Sequence, residues 1–479
     1  MTAAQTFAPP IVRMQEVEPP PLLKLSFTCF CIFLLADYSR FFEWQLIWMH
    51  VPMITSVIAL AGAAIEGRLT AVFTSKVGIC MSILTVLYAI NIPFSTWRGG
   101  SLNMFTGEWL KTVIVFAISG ALIFNIRQCR VALHSIGWAS GIAGVLVNWK
   151  GEMVDGRLIF GTGSFKNANQ IAFDMLLGLP LLWLIVADPK GMKVKKVIAM
   201  ALMCSNFLAM IRTGSRGALI GLAILCFLFF IRSSMAAKVA MVVAGVLAIA
   251  VGLVVLPSSL KVRYATLISG SEAAQEATNK TETGVVNAAE GSSAERRRLL
   301  MASITATLTH PLLGVGIGEF AVYEVAVDFS EGRNSGWQGT HNTYTQVSSE
   351  AGIPALIVFL CLIVFSIKGP MSLSKRAKTF PPGDKVKDIL AIAFALSASV
   401  LIYAVCISFD YIAYSADLPI LGGLGIALVR CGNQELDRLE EAPASYQPGS
   451  NQIVNLYPVR PTRGMGPAAF TPASGPGRA

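Results

Sequence analysis

Residues 339–360 read GTHNTYTQVSSEAGIPALIVFL. The first half is polar and carries one of only four histidines in the chain. The second half is apolar and stays so through Phe365. A polar segment that passes this abruptly into an apolar one marks the edge of a bilayer, which about 20 apolar residues cross as a helix. We therefore read Thr343 to Ala351 as helix running into a membrane span over 352–368.

Similar spans repeat outward in both directions. They fall at 22–36, 44–65, 76–93, 108–125, 131–149, 170–187, 196–212, 217–232 and 238–256 on one side, and at 387–408 and 417–430 on the other. The chain of 479 residues is 54% hydrophobic and 14% charged, whereas a soluble protein carries about 25% charged residues. The expected fold is an all-α polytopic membrane protein with about twelve spans. Residues 1–21 and 431–479, rich in proline, glycine and polar residues, are expected as disordered tails. Spans occupy 22–256 and 352–430. Between them lies one large polar loop, 257–351.

Twelve spans put both termini on one side, and short-loop basic charge selects which. With cytoplasmic termini, sixteen lysines and arginines fall in inner short loops and seven in outer ones: Arg40, Arg98, Lys150, Arg157, Lys166, Arg212 and Arg216. The 257–351 loop is then external. The seven outer cations run against the rule, which points to a task at that face.

Other chemistry is thinly supplied. The nine cysteines are mostly in apolar runs and the large loop has none, so neither a disulfide framework nor a thiolate metal site is expected. No cofactor or metal is indicated. The net charge of +10 is spread over many loops, which argues against nucleic acid and for anionic membrane lipids. No basic-apolar-small leader pattern opens the chain.

Within the loop, Gly270 to Ala294 is small and polar and is expected to be mobile. Arg296 to Thr309 carries Leu299, Leu300, Ile304 and Leu308 at helical spacing, and Leu312 to Phe320 is a glycine-punctuated turn. Arg296, Arg297 and Arg298 cannot all face one way, because successive helical residues turn about 100°. They suit phosphate oxygens, or alternatively anionic headgroups under an amphipathic helix. Arg212-Thr213-Gly214-Ser215-Arg216-Gly217 sits at a span junction, where an arginine either snorkels or joins helix N–H groups in holding an anion. Arg157 to Asn169 is an outer, glycine-rich loop with asparagines suited to capping. His341 can accept a proton near neutral pH; the structural alternative is that it caps the helix behind it. Gly314-x-Gly316-x-Gly318 lacks the βαβ setting of a dinucleotide loop.

Taken in order, these pieces resemble the O-antigen ligase and polymerase family of bacterial membrane glycosyltransferases. The resemblance runs from Arg157 to Ile353. It includes Gly163-Ser164-Phe165 with Asn167 and Asn169, Thr213-Gly214-Ser215-Arg216-Gly217, the arginine helix, His310-Pro311-Leu312-Leu313-Gly314-Val315-Gly316, His341-Asn342-Thr343-Tyr344 and Glu350-Ala351-Gly352-Ile353. It departs at Pro354, where the family often has glycine. The resemblance implies a GT-C-like, metal-independent, inverting transferase. The donor would be a glycan on undecaprenyl pyrophosphate, and the acceptor lipid A core, another glycan or a protein. It further implies that Arg216 and Arg296 or Arg297 hold the pyrophosphate and that His341 is the base. Arg157, Asn169, Gly314, Gly316, Asn342 and Tyr344 would contact substrate. A transporter or flippase of lipid-linked glycan is the competing class. It would need charges in mid-span, where Asp174 is the clearest, and no inverted repeat is evident.

Overall fold

The computed structural model describes residues 21–441, apart from 155, 162, 256, 266–279 and 333–335. Its long helices are α1 (Pro21–Ser39), α2 (Val51–Ile65), α3 (Lys76–Asn91), α4 (Leu110–Ala121), α5 (Ile126–Lys150), α6 (Ala168–Val186), α7 (Lys193–Arg212), α8 (Arg216–Arg232) and α9 (Met235–Val255). After these come α10 (Lys280–Thr309), α11 (Phe320–Ser330), α12 (Thr343–Ala377), α13 (Asp384–Cys406) and α14 (Asp417–Glu441). A hairpin of β1 (Glu152–Val154) and β2 (Arg157–Ile159) pairs antiparallel between α5 and α6. The architecture is that of an all-α membrane protein. Among the described residues, eight helices are long and apolar enough to cross a bilayer: α1, Ile47–Ile65, Lys76–Phe94, α5, α6, α7, α12 and Asp384–Phe409. Each of the twelve segments expected from sequence overlaps a helix, but α4 has only 12 residues and α8 only 17.

Two expected boundaries are corrected. The mobile stretch placed at Gly270–Ala294 is helical from Lys280 onward, because the Ala- and Glu-bearing residues before Arg296 continue the turn of the helix they precede; 270–279 lies outside the described residues. Of the tail placed at 431–479, residues 442–479 lie outside the described residues, and 431–441 is helical, since α14 runs to Glu441. Its extension buries Cys431 and Leu436, and Arg376 of α12 holds Asn433 at 3.0 Å and Glu440 at 3.3 Å.

α6 lies at the centre. Of its 19 residues, 17 are buried, packed against α5, α7 and α13. Small residues allow that approach, as in membrane bundles generally: a Cβ at Gly178 would come within 1.9 Å of Ser140 Oγ on α5. Caps set where the helices start. Ser75 Oγ accepts the Gly78 N–H at 3.0 Å and Asn125 Oδ1 accepts the Gln128 N–H at 2.8 Å. Each satisfies an otherwise orphaned donor and contributes about 1 kcal/mol.

Long-range contacts sort the connections into two ends. At one end Arg130 bridges Asp188 at 2.9 Å and Asp388 at 2.7 Å. At the other, Thr96 N–H donates to Val315 O at 2.8 Å and Arg157 Nε donates to Thr213 O at 3.0 Å. Asn342 Nδ2 donates there to Ser408 O at 3.3 Å. The segments that carried the sequence motifs therefore share one end.

The start of α12 shows how the glycine motifs work. Gly352 breaks the helix at φ 86° and ψ 171°. Ile353 turns its N–H to Pro311 O at 2.8 Å, and Pro354 has no N–H to give. The carbonyls of Ser349 and Glu350 are thereby released from helical bonding and accept Val315 and Gly316 N–H at 2.8 and 3.0 Å. Gly314 sits against this break so closely that a Cβ would lie 2.4 Å from the Glu350 carbonyl carbon, and its φ is 68°.

Candidate active site

Three helices begin at one place. Asn167 Oδ1 accepts the Asn169 N–H at 2.9 Å at the head of α6. Ser215 Oγ accepts the Ala218 N–H at 3.4 Å at the head of α8. Asn342 Oδ1 accepts the Tyr344 and Thr345 N–H groups at 2.9 and 3.1 Å at the head of α12. The cap of α12 is thus Asn342 and not His341. Helix N-termini carry partial positive charge and favour anions.

Between these starts lies an open cleft of about 600 Å³. Its lining includes three cations: Arg157 from β2, Lys166 from the turn before α6, and Arg296 from α10. Gln338, His341 and Tyr411, from the loops that precede α12 and α14, line it too. So do Asn167, Asn169 and Glu295.

Arg157 is positioned by two bonds: Nε to Thr213 O at 3.0 Å and Nη2 to Asn169 Oδ1 at 2.6 Å. Asn169 Oδ1 also accepts from Ser215 Oγ at 3.0 Å. Burial pushes the Arg157 pKa down to about 9, with Arg263, Arg296 and Arg216 acting in the same direction. It remains protonated at neutral pH. Arg296 is also lowered, by burial first and Arg216 second. Four guanidinium groups therefore lie close enough for their charges to act on one another. Arg263 was not singled out from sequence; it is buried and donates to Gly214 O at 3.1 Å. Gly214, at φ 60°, leaves room for it, since a Cβ would stand 2.7 Å from Arg263 Cδ.

His341 holds a left-handed backbone at φ 51°. Its Nδ1 is buried and has no hydrogen-bond partner. Burial, then the charges of Arg296 and Arg157, push its pKa down to about 4, against a smaller opposing effect of Glu295. The imidazole is accordingly neutral and able to accept a proton. Asp410, also missed as a site residue, sits beside the cleft. Its Oδ1 accepts from Asn167 Nδ2 at 3.3 Å and from the Tyr411 N–H at 2.9 Å. Oδ2 is buried without a partner. Burial raises its pKa to about 6, offset in part by the Tyr411 N–H and then by Arg296 and Arg157.

The structure brings Arg157, Asn169, Arg296 and His341 to the cleft directly. Arg216 stands next to them, its Nη2 donating to Ser293 Oγ at 2.8 Å. Arg297 is exposed and does not line the cleft. Arg298 turns away to Glu295, Glu324 and Asp328 at 2.9, 2.7 and 3.0 Å. Gly314 and Gly316 pack beneath the start of α12, away from the cleft lining. Asn342 spends its amide on the helix cap and Ser408. The Tyr344 hydroxyl donates to Ala404 O at 2.6 Å. Gln338 and Tyr411 gave no sequence signal, because a glutamine and a tyrosine in separate loops form no motif.

Residues 198–360 match the family model described as O-antigen ligase. This bears out the resemblance drawn from the sequence, and the matched span holds Arg216, Arg296, His341 and the 310–316 turn. Arg157, Asn169 and Tyr411 fall outside it. No curated protein matches the chain. The match supports a membrane glycosyltransferase of O-antigen ligase or polymerase type, and with the apolar helices it supports a multi-pass inner-membrane protein.

Proposed function

We propose that the chain transfers a glycan from undecaprenyl pyrophosphate to an acceptor hydroxyl at the periplasmic face of the inner membrane, with inversion and without a metal ion. The observation that carries this reading is that His341 lines the same cleft as Arg157 and Arg296. The acceptor would be a lipid A core sugar, a second carrier-linked glycan or a protein side chain. Both termini would lie in the cytoplasm.

The acceptor hydroxyl donates to the unprotonated nitrogen of the neutral His341 imidazole, where that ring borders the cleft. Its oxygen attacks the anomeric carbon, and a new C–O bond forms as the bond to the pyrophosphate oxygen breaks. The electron pair leaves on that oxygen and the hydroxyl proton moves to His341, then to solvent. Attack opposite the leaving group inverts the anomeric centre. Arg157, Arg216 and Arg296 meet the charge that grows on the pyrophosphate, where fixed donors in a partly dry site stabilise most strongly. Arginine suits that role because it stays charged and binds oxygens in pairs.

His341 and the arginines are coupled. Arg296 and Arg157 depress the His341 pKa in the free protein. A bound pyrophosphate offsets those charges and raises the imidazole pKa, making it a stronger base when the donor is present. The test uses membranes from a strain lacking this chain, which hold native donor and acceptor. Purified protein added with EDTA should restore transfer, and the new linkage should have inverted configuration. Loss of transfer under EDTA, or a retained configuration, would overturn the reading.

A further inference from the structure

Gly339 and Tyr411 belong to different loops, yet an added Cβ at Gly339 would stand 2.5 Å from Cδ2, 2.5 Å from Cε2 and 2.9 Å from Cγ of the Tyr411 ring. An approach in the ring plane would leave Cγ much farther than its two neighbours. The Gly339 backbone therefore lies over one ring face. Tyr411 also meets the His341 ring at right angles, with centroids 5.1 Å apart, and its N–H is held by Asp410 Oδ1. The residue is fixed on these sides and still 41% exposed, bordering the cleft.

We propose that Tyr411, with Gln338, forms a subsite for a neutral pyranose ring, the sugar that presents its hydroxyl to His341. This deepens the transferase reading and rests on it for the identity of that sugar as acceptor. The chemistry of the lining residues divides the substrates. A pyrophosphate belongs with Arg157, Lys166 and Arg296. A sugar presents a face of C–H groups, which suits the negative face of an aromatic ring, and a rim of hydroxyls, which suits the paired donor and acceptor of an amide such as Gln338. Because Tyr411 touches His341, a ring stacked there brings one hydroxyl to the imidazole. Gly339 is part of the device, since any side chain there would displace the tyrosine.

Saturation-transfer NMR on the full-length protein in detergent tests this. The probes are the methyl pyranosides of glucose, galactose, mannose and rhamnose, with glycerol as a polyol lacking a ring. At least one pyranoside should exceed glycerol. Tyr411→Phe should bind it close to wild type, while Tyr411→Leu and Gly339→Ala should weaken it about tenfold, or about 1.4 kcal/mol. Arg296→Gln should leave it unchanged. The subsite is refuted if no pyranoside exceeds glycerol, if Tyr411→Leu binds as wild type does, or if Arg296→Gln removes the signal. Should Tyr411→Leu not fold, Gly339→Ala decides in its place. Undecaprenyl pyrophosphate titrated in parallel separates the two readings: if it does not bind while the pyranoside signal follows Tyr411, the transferase reading fails and the subsite stands.

Discussion

Asn91 on α3 donates its side-chain amide to the Glu350 carbonyl on α12 at 3.0 Å, and its Oδ1 accepts the Ile317 N–H at 2.9 Å. One buried asparagine thus ties the 313–317 turn to the break in α12, immediately behind the head of the helix that follows His341. Asn91→Leu would leave the buried Ile317 N–H without that acceptor, at a cost of about 1–3 kcal/mol. A lowered thermal midpoint of the purified protein is the expected result, and an unchanged midpoint would remove Asn91 from this role.

The arginines of α10 have three different environments, so they should differ in effect. Arg296→Ala should cut transfer about 10²–10³-fold, the usual effect of losing one preorganised donor to a transition state. Arg297→Ala should stay near wild type, because its side chain is exposed and outside the cleft. Equal loss in both variants would show that the helix binds substrate in some other register.

Arg298→Met should act on stability and not on donor affinity. It would strip the buried Glu324 and Asp328 of their shared partner. The loss should fall below the about 3–5 kcal/mol of a fully buried pair, because the arginine is partly exposed and screened. Midpoints measured alongside donor titration check this; a selective loss of donor binding would contradict it.

His341 should behave as a base with an unusual acid limb. His341→Ala should lower turnover about 10²–10⁴-fold. His341→Asn should be as impaired, since Asn342 already caps α12. Because the His341 pKa is depressed to about 4, protonation should inactivate the free protein only as pH falls towards that value. The profile of kcat/KM for donor should therefore hold on the acid side further than an ordinary imidazole near 6.5 allows. The kcat profile should fall at higher pH, with donor bound against Arg157 and Arg296. Coincident acid limbs would remove the proposed coupling.

Topology offers the coarsest check. Reporter fusions at Ala288, in α10, should behave as external, as the distribution of basic residues requires. Cytoplasmic activity there would put the cleft on the wrong side for a hydroxyl acceptor outside the membrane.

The membrane class was legible in the sequence because bilayer thickness imposes an apolar length that any reader can count. The cap of α6 was legible too, since Asn167 acts on an N–H group two residues ahead of it, whereas at the head of α12 the sequence offered His341 and the structure uses Asn342. His341, Arg157 and Arg296 could be nominated because polar residues of the right type stood in order at one membrane face. Tertiary structure alone decided which of three adjacent arginines enters the cleft, because that depends on where Glu324 and Asp328 capture Arg298. It alone showed that Gly314 serves backbone contact with Glu350, that Arg263 joins the cationic cluster, and that Tyr411 stands against His341. Sequence records local spacing, whereas these relationships join segments 26 to 259 residues apart in the chain, the closest being Arg298 with Glu324 and the farthest Asn91 with Glu350. Only packing brings them within reach of one another.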